Sequence, residues 1–533
     1  MFRTTTSRRG MVVTPHHLAS EAGLSVLRDG GNAVEAMIAA ASTIAVVYPH
    51  MNGLGGDNFW LISSGGQDPI AIDACGPAAQ RASCEFYRDS GHTTIPMRGP
   101  LSALTVAGAV GGWQMALAHA QSLGGRMPLS RLLADATSYA REGFPVSETQ
   151  AVNSRNKLDE LRDQPGFAQT YLDNGEPPLI GATFRNPALA ATLEQLARAG
   201  LEDFYRGDVG QTMARELEAA GSPLRQQDLD AYRARRVTPL SVRLRHGRVF
   251  NLPPPTQGLA SLMILGLAEN LSQSPAESFS WLHGLVEATK RAFLIRNEHV
   301  FDPTYMTIDP QSVLEAGNLL KIAKGIDMAN AMPWPQPANP GDTVWLGAID
   351  AQGNAVSFIQ SIYWEFGSGV VLPTTGIVWQ NRGVSFSLDD NNANVLKPGR
   401  YPFHTIQPAL ALLDDRRVMP YGTMGGEGQP QTQSAIYSRY VIHGQGLQEA
   451  ISGPRWLLGR TWGADATNLR MESRFDAQLV AAMRNAGHDV ELVGPYDEVM
   501  GHAGALVAHR SGDRTGLIEG ASDPRSDGRA AGF

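Results

Sequence analysis

The most constraining feature of the chain is a proline-rich stretch that is followed at once by two strand-like runs. The stretch covers residues 332–340 (MPWPQPANP). Proline lacks the backbone N–H, so this stretch can form neither a helix interior nor a central strand. The runs 343–349 and 355–362 flank Ala351-Gln352-Gly353, a three-residue loop with a final glycine, which is typical of a β-hairpin. We therefore predict a loop that leads into a hairpin, with Thr343 at the junction.

Counting along this hairpin gives Thr343 a partner. If Asp350 pairs with Asn354, Thr343 lies opposite Ser361, and directly opposed Cβ atoms are about 5 Å apart. A bulge at the turn would shift this register by one residue. Two interpretations stay open: an ordinary Thr–Ser pair, or a threonine that becomes an N-terminal nucleophile when the chain cuts itself. A free α-amine, with a reference pKa of about 7.7–8.0, would then act as its base.

A glycine-rich segment, residues 422–428 (GTMGGEG), offers a second candidate element. Glycine lets backbone N–H groups approach a ligand closely, which is what stabilising a tetrahedral oxyanion requires. The alternative for this segment is a simple turn.

Composition narrows the function classes. The chain has 533 residues, 43% hydrophobic and 18% charged, with a formal net charge of −8. Mild acidity argues against nucleic acid and against an anionic membrane surface as partners. The longest apolar run, residues 36–48, is too short to span a bilayer. The N-terminus has no apolar segment of the signal-peptide type, so we expect a cytoplasmic protein.

No cofactor or metal is predicted from the sequence. Cys75 and Cys84 are nine positions apart, and we expect two buried thiols, with a disulfide as the alternative. His16-His17 has neither the spacing nor the partners of a metal site. The tryptophans near the hairpin are expected in the core; they are Trp345, Trp364 and Trp379.

The wider pattern predicts a layered α/β arrangement built from both ends of the chain. Gly30-Gly31 should end a first helix, and Asn32 should cap a mostly apolar second helix from Ala33. Residues 129–320 have a mainly helical pattern, clearest at 213–219 and 281–293. The other strand-like runs are 59–62, 70–73, 377–379, 409–413 and 489–492.

Taken in order, these residues resemble the γ-glutamyltranspeptidase family of N-terminal nucleophile hydrolases. The resemblance covers nearly the whole chain. Its motifs are 27–36 (LRDGGNAVEA), 50–56 (HMNGLGG), 204–207 (FYRG), 228–229 (DL), 253–258 (PPPTQG), 287–290 (EATK), 342–343 (DT), 366–369 (FGSG), 380–383 (QNRG), 424–426 (MGG) and 521–525 (ASDPR).

The resemblance implies a four-layer αββα fold and a proenzyme cut between Asp342 and Thr343. The products would be a large subunit, 1–342, and a small subunit, 343–533, sharing one fold. Thr343 would be the nucleophile and Ser361 its hydroxyl partner. The remaining matched residues are the oxyanion-hole glycines, Gly425 and Gly426, and an arginine for the donor's α-carboxylate, Arg81.

The chain departs from this family where transpeptidases read the donor's α-ammonium. Tyr363, Arg382 and Ser385 stand where the family has Asn, Gln and Asp. His404-Thr405 replaces two serines that help to bind the carboxylate, and Val344-Trp345 replaces a threonine and a histidine. A unit-charge pair at about 4 Å is worth roughly 4 kcal/mol at an effective dielectric of about 20, so an ammonium-bearing donor should be strongly disfavoured.

Two arginines near one nucleophile suit a small anionic acyl group. The alternative for Arg382 is a salt bridge to a protein acid such as Asp389. We therefore predict an amidohydrolase that cleaves a small carboxylate-bearing amide of the oxamate type through a threonyl acyl-enzyme. The alternatives are a γ-glutamyl transferase or glutathione hydrolase, a glutaryl-type acylase, and an unprocessed relative that only binds.

Overall fold

The structure, a computed structural model, describes residues 3–334, 342–459 and 467–533. Most of the proline-rich stretch therefore lies outside the described residues. The strands are β1 Thr5–Ser7, β2 Gly10–Thr14, β3 Asp57–Ser63, β4 Ile70–Ala74, β5 Phe144–Pro145, β6 Thr183–Phe184, β7 Arg235–Val237, β8 Leu240–Leu244, β9 Gly247–Asn251, β10 Asp342–Asp350, β11 Ala355–Tyr363, β12 Ala409–Leu413, β13 Val418–Thr423, β14 Trp456–Leu458, β15 Leu469–Glu472, β16 Val490–Val493, β17 Ala503–Ala508, β18 Ile518–Ser522 and β19 Arg529–Gly532.

Helices occupy the segments between and after the strands. They are α1 His17–Arg28, α2 Ala33–Val47, α3 Cys84–Asp89, α4 Ala109–Ser122, α5 Leu129–Leu132, α6 Ala134–Glu142, α7 Glu148–Asn156, α8 Leu158–Leu161, α9 Phe167–Tyr171, α10 Pro187–Ala199, α11 Asp203–Arg206, α12 Asp208–Ala220, α13 Gln226–Ala231, α14 Gly258–Glu269, α15 Phe279–His299, α16 Pro310–Val313, α17 Ala316–Ala323, α18 Gly428–Tyr437, α19 Leu447–Ser452 and α20 Ala477–Asn485. Short 3-10 turns cover Pro303–Tyr305, Arg382–Ser385, Glu498–Met500 and Gly512–Arg514.

Two seven-stranded sheets form the centre of the molecule. One has the order β1-β18-β17-β13-β12-β9-β8 and the other β19-β2-β10-β11-β3-β4-β7, with antiparallel neighbours throughout. Helices α1, α2 and α4 pack on the second sheet, and α14, α18 and α19 pack on the first. This is the predicted four-layer αββα arrangement.

Each interface between layers has its own hydrophobic core. One core lies between α2 and its sheet, and a second lies between α14, α15 and the other sheet. The third fills the space between the sheets with alternate residues of their strands, including Phe59, Trp345 and Ile359. Strand side chains point alternately to opposite faces, so odd-numbered residues of β3, β10 and β11 point toward the facing sheet.

The predicted hairpin is present, with a β-bulge at Thr343. Pairs from Ile349↔Ala355 to Val344↔Gln360 follow the expected register. The register then shifts, because Asp342 pairs with Tyr363. Thr343 is consequently opposite two residues of β11, Ser361 and Ile362, as expected for a β-bulge.

The two N-terminal helices follow the sequence prediction. Helix α1 ends at Arg28, and Gly30 takes a positive φ of 93°. Asn32 caps α2, and Glu35 completes a capping box by accepting a hydrogen bond from the Asn32 N–H. Every residue of α2 is buried, because this helix is covered on all sides by α1, α4, α6 and the sheet.

Other predictions were less accurate. Residues 377–379 are not a strand, since only isolated bridges such as Gly55↔Trp379 form there. The segment 129–320, predicted to be mainly helical, also contains strands β5 to β9. These strands have two to five residues each, too few to give a clear alternation of apolar and polar residues. The run near 489–492 is a real strand, β16, but it belongs to a separate three-stranded sheet.

Both cysteines are buried free thiols, as expected. Trp345, Trp364 and Trp379 are buried. In the described ranges, no helix has the length and apolar character needed to cross a membrane.

Candidate active site

Thr343, Ser361 and Asp57 lie in a row across three neighbouring strands. Ser361 on β11 is paired with Asp57 on β3 and faces Thr343 on β10. All three are odd-numbered residues on the side that faces the other sheet, and all are almost completely buried. Ser361 Oγ accepts a hydrogen bond from the Tyr363 N–H at 2.8 Å.

The glycines before β3 let this row form. A Cβ on Gly56 would lie 2.1 Å from the Ser361 carbonyl oxygen, and one on Gly55 would lie 2.1 Å from the Val378 carbonyl oxygen. Neither distance is possible for a side chain. The GLGG motif therefore brings the chain into direct backbone contact with β11, immediately before Asp57.

Arg382 lies beside this row in a fully buried position. Its guanidinium carbon stacks 3.9 Å from the centre of the Tyr363 ring, and Nη1 donates to Thr405 Oγ1 at 3.5 Å. Its Nε and Nη2 have no hydrogen-bond partner in the described part of the chain. Burial lowers the pKa of Arg382 to about 10, still far above neutrality, so the side chain is a cation with donors to spare.

Tyr363 reaches Arg382 from an unusual backbone conformation. Its φ is 82°, a left-handed value that costs a non-glycine residue of the order of 1–3 kcal/mol. Such strain concentrates at functional sites. Burial raises the pKa of its hydroxyl to about 12, so the ring acts as a neutral aromatic surface under the guanidinium.

His404 and Asp57 complete the polar group. His404 Nε2 is 3.7 Å from Asp57 Oδ2, and within the described ranges neither ring nitrogen has a hydrogen-bond partner. Burial, reinforced by Arg382, holds the pKa of His404 well below its usual value, so this imidazole is neutral. Burial also raises the pKa of Asp57 to about 7, against the opposing effect of Arg382.

The glycine-rich turn between β13 and α18 is built for a tight backbone path. Gly425 and Gly426 have positive φ values of 111° and 51°, which other residues adopt only with strain. The Gly426 carbonyl oxygen accepts from Gln257 Nε2 at 2.8 Å. Gln257 in turn accepts from Arg296 Nη1 at 2.9 Å, and Arg296 pairs with Glu427. This chain of contacts fixes the turn.

A cavity of about 800 Å³ is lined by sequence neighbours of the polar group, including Phe403, which precedes His404. Its walls include Ser385 and Val384, which belong to the same short helix as Arg382, and Arg296 from the chain of contacts just described. Substrate-sized space therefore reaches the short helix that carries Arg382, although the buried guanidinium does not itself line the cavity.

The structure brings several of the predicted site residues together: Thr343 faces Ser361, and Gln257 Nε2 donates both to the Thr405 and to the Gly426 carbonyl oxygens. Tyr363, Arg382, His404 and Thr405 form one contiguous group. Arg81 instead lies in a turn with an exposed side chain, so its role with a substrate carboxylate stays a prediction.

The alternative partner for Arg382 is not used. Asp389 is exposed, and its Oδ1 accepts from the Asn391 N–H at 3.0 Å. No carboxylate lies within salt-bridge distance of Arg382 in the described part of the chain.

Sequence reasoning missed Asp57, Gln257 and Arg296. Asp57 directly follows the GLGG motif, and Gln257 lies inside the PPPTQG motif. These two motifs are therefore the sequence signals that could have indicated both residues. Arg296 carries no local signal, because only the packing of α15 against the glycine-rich turn reveals it.

One group of potential metal ligands occurs among the described residues, although none was predicted. His283, Glu287 and His488 are buried with ligand atoms within 4.8 Å of one another. Lys290 Nζ occupies this neighbourhood, 2.7 Å from Glu287 Oε1 and 3.5 Å from His488 Nδ1. His283 Nδ1 lies 2.9 Å from His488 Nε2. The ammonium and these mutual hydrogen bonds already satisfy the group, which does not favour a metal.

Comparison with known proteins agrees with the geometry. The family model for γ-glutamyltranspeptidase matches residues 19–533. The chain belongs to the γ-glutamyltranspeptidase family. Within it, the chain is 54% identical to the oxamate amidohydrolase proenzyme of Klebsiella pneumoniae, and 39% identical to a glutathione hydrolase-like proenzyme of Bacillus subtilis, in each case over the full length of both proteins.

The solved structure of cephalosporin acylase from Bacillus halodurans shares this fold. It superposes with a TM-score of 0.91 at 32% identity, covering 100% of this chain and 97% of that one. The chain is thus a member of a family of N-terminal nucleophile hydrolases made as proenzymes.

Proposed function

We propose that this chain is a self-processing amidohydrolase that acts on a small carboxylate-bearing amide of the oxamate type. The observation that carries the proposal is Arg382, a buried cation with two nitrogens that lack a partner among the described residues, stacked on Tyr363 at the end of the hairpin that carries Thr343 and Ser361. A buried, unpaired charge is costly unless an anion satisfies it, and a guanidinium matches a carboxylate in a bidentate pair. The 54% identity to an oxamate amidohydrolase proenzyme supports the same substrate class.

The first chemical step is self-cleavage. Thr343 Oγ1 attacks the Asp342 carbonyl carbon, and the peptide C–N bond breaks as the acyl group moves to oxygen. Water then hydrolyses the ester, leaving a carboxylate on residue 342 and a free α-amine on Thr343. The large subunit is 1–342 and the small subunit is 343–533.

Amide hydrolysis then reuses the same oxygen. The α-amine of Thr343 takes the hydroxyl proton while Oγ1 attacks the substrate carbonyl carbon. Backbone N–H groups of Gly425 and Gly426 hold the developing oxyanion, and Ser361 orients the nucleophile. The α-ammonium returns the proton to the leaving nitrogen, ammonia departs, and water hydrolyses the acyl-enzyme to the acid.

The substrate's carboxylate lies against Arg382 in this proposal, with Tyr363 and Thr405 fixing the guanidinium. His404 is neutral and fills the remaining wall. A γ-glutamyl donor would need an acid for its α-ammonium, but Arg382 and Ser385 stand in that region instead. Arg81 is a further candidate for the carboxylate of a longer substrate that reaches the surface.

A glutaryl-type acylase is the second candidate. The adjoining cavity, about 800 Å³, is far larger than oxamate requires, and the fold matches that of a cephalosporin acylase. A longer acyl group with a terminal carboxylate would also satisfy Arg382.

Mass spectrometry and ammonia release test the proposal together. Purified protein should contain fragments ending at residue 342 and beginning at Thr343, and it should release ammonia and acid from oxamate. Thr343→Ala should stay full-length and inactive, and Ser385→Ala serves as a processed control. Robust turnover of glutaryl amides without oxamate turnover would favour the second candidate. Rapid turnover of γ-glutamyl-p-nitroanilide, increased by glycylglycine, would contradict the pocket argument.

A further inference from the structure

Asp57 is the one carboxylate in the row that contains the proposed nucleophile, and the reaction steps above leave it without a role. It is paired with Ser361 across β3 and β11, one strand further from Thr343. Its side chain is fully buried. Burying a carboxylate costs solvation free energy, so a fully buried aspartate beside the proposed nucleophile indicates a functional role.

The two oxygens of Asp57 differ in their surroundings. The Gly76 and Gly108 N–H groups donate to Oδ1 at 3.1 and 3.0 Å, so this oxygen is held in place. Oδ2 has no hydrogen bond of normal geometry in the described part of the chain, although the Gln380 amide is near enough to lower the pKa of the acid. Oδ2 points toward the neutral His404 ring, 3.7 Å away.

The groups that face Asp57 from each packed element supply a single cation. Arg382 contributes that positive charge from its 3-10 helix. The other ionisable neighbours are kept neutral at pH 7 by burial, which raises the pKa of each thiol or phenol and lowers that of the imidazole; they are Cys75, Tyr205, Tyr232 and His404. The charge state of Asp57 is therefore set by burial, by the charge of Arg382 and, to a smaller extent, by hydrogen bonds from Gly108, Gln380 and Gly76.

We propose that Asp57 is a specificity-determining acid: as an anion in the empty site it partly offsets the charge of Arg382 from beyond salt-bridge distance, and it becomes a neutral hydrogen-bond donor when the anionic acyl group is bound. This inference rests on the proposed function. A carboxylate bound by Arg382 offsets the attraction that keeps Asp57 ionised, and it places a second negative charge nearby. Two carboxylates that share one site retain a proton between them, so Asp57 takes one proton from solvent.

The same arrangement makes substrate selection depend on charge. A neutral amide would leave Asp57 ionised in the field of Arg382 and would gain nothing from the cation. An anionic amide gains the guanidinium together with a protonated Oδ2–H that can donate to it. Asp57 thus links recognition of the anion to proton uptake.

Calorimetry with oxalate, the acid that oxamate hydrolysis yields, tests this linkage. At about pH 8, binding measured in buffers of different ionisation enthalpy should show that the wild-type protein takes up close to one proton more than Asp57→Asn. Oxalate affinity in the wild type should also fall up to tenfold per pH unit above about 7, with a weaker fall in the variant. Any contribution from the Thr343 α-amine is common to both proteins and cancels in the comparison.

Asp73→Asn is the matched control. Asp73 is also a buried acid of the same sheet, but it pairs with Arg235, so this variant should keep the wild-type proton uptake. If Asp57→Asn does not fold, infrared difference spectra of the wild type on adding oxalate should show a new protonated-carboxyl band.

The outcomes distinguish an error in the role of Asp57 from an error in the proposed function. Equal proton uptake in wild type and Asp57→Asn, or no new carboxyl band, would overturn the role of Asp57 even while oxamate turnover persists. Failure of the wild type to bind oxalate and to hydrolyse oxamate would instead refute the proposed function, and the role of Asp57 with it.

Discussion

Replacing Arg382 by methionine gives the sharpest test of the pocket, because this arginine can be compared with a second buried arginine. Both side chains are about 1% exposed, and burial lowers the pKa of both to about 10. Arg455 has a buried carboxylate partner, Asp523, at 2.6 Å. Arg382 has no carboxylate within salt-bridge distance among the described residues. The two variants should therefore behave in opposite ways.

Arg382→Met should damage binding of the substrate but spare the fold. A charge pair at about 4 Å is worth roughly 4 kcal/mol at an effective dielectric of about 20, and hydrogen bonds to charged groups contribute about 1.5–3 kcal/mol. A loss of about 2–4 kcal/mol corresponds to a fall of about 30-fold to 1,000-fold in kcat/KM for oxamate. Methionine is apolar and of similar length, so the free energy of unfolding should change by less than about 1 kcal/mol.

Arg455→Met should do the reverse. It removes one of the two buried arginines that pair with Asp523, while Arg525 Nη1 remains 3.0 Å from Asp523 Oδ1. Breaking a buried pair costs up to about 3–5 kcal/mol. Urea unfolding and steady-state ammonia release on the processed proteins measure both effects. The reasoning is refuted if Arg382→Met changes kcat/KM by less than about threefold, or if it destabilises the protein as much as Arg455→Met does.

Three further expectations concern the fold that supports the site. Gly56→Ala should impair folding or processing, because its Cβ would lie 2.1 Å from the Ser361 carbonyl oxygen. Gly317→Ala in α17 would meet no atom of the described residues within 4 Å and should stabilise the protein by about 0.5–1 kcal/mol. Equal melting temperatures of the two variants would contradict this. Burial alone would raise the pKa of Glu519, but hydrogen bonds from His509 and Arg514 lower it to about 2. The stabilisation by ionised Glu519 is therefore present above pH 4.5 and is lost as the pH falls toward 2. Urea unfolding at a series of pH values should show that Glu519→Gln loses less free energy of unfolding in acid than the wild type does. Lys290→Met should cost about 3–5 kcal/mol, because it leaves buried Glu287 without its cation, and adding Glu287→Gln should recover part of that loss in the same unfolding assay.

Several elements of the fold were readable because their signals are local. Asn32 with Glu35 three residues later marks the start of α2. The Ala351-Gln352-Gly353 loop sets the hairpin register from Val344 to Ile349. In both cases the determining residues are close in sequence and act through backbone hydrogen bonds that need no tertiary contact.

Other elements could not be read because their partners are distant. Residues 377–379 have a strand-like composition, but they form only isolated bridges to Gly55 and Val371. The bulge at Thr343 arises where β11 leaves the regular ladder toward the strained Tyr363. Arg81 matches a motif position, yet it lies in an exposed turn, since a motif specifies neighbours along the chain and not the direction of a side chain.

The sequence by itself determined the hairpin, the position of Thr343 opposite Ser361 and the glycine-rich turn. These depend on residue type and short-range spacing. Only the tertiary structure decided that Asp57 joins the row, that Arg382 is buried with no carboxylate partner among the described residues, and that Arg81 is at the surface. Burial and charge pairing are properties of packed layers, and here they convert an ordinary aspartate beside GLGG into an acid with a pKa of about 7.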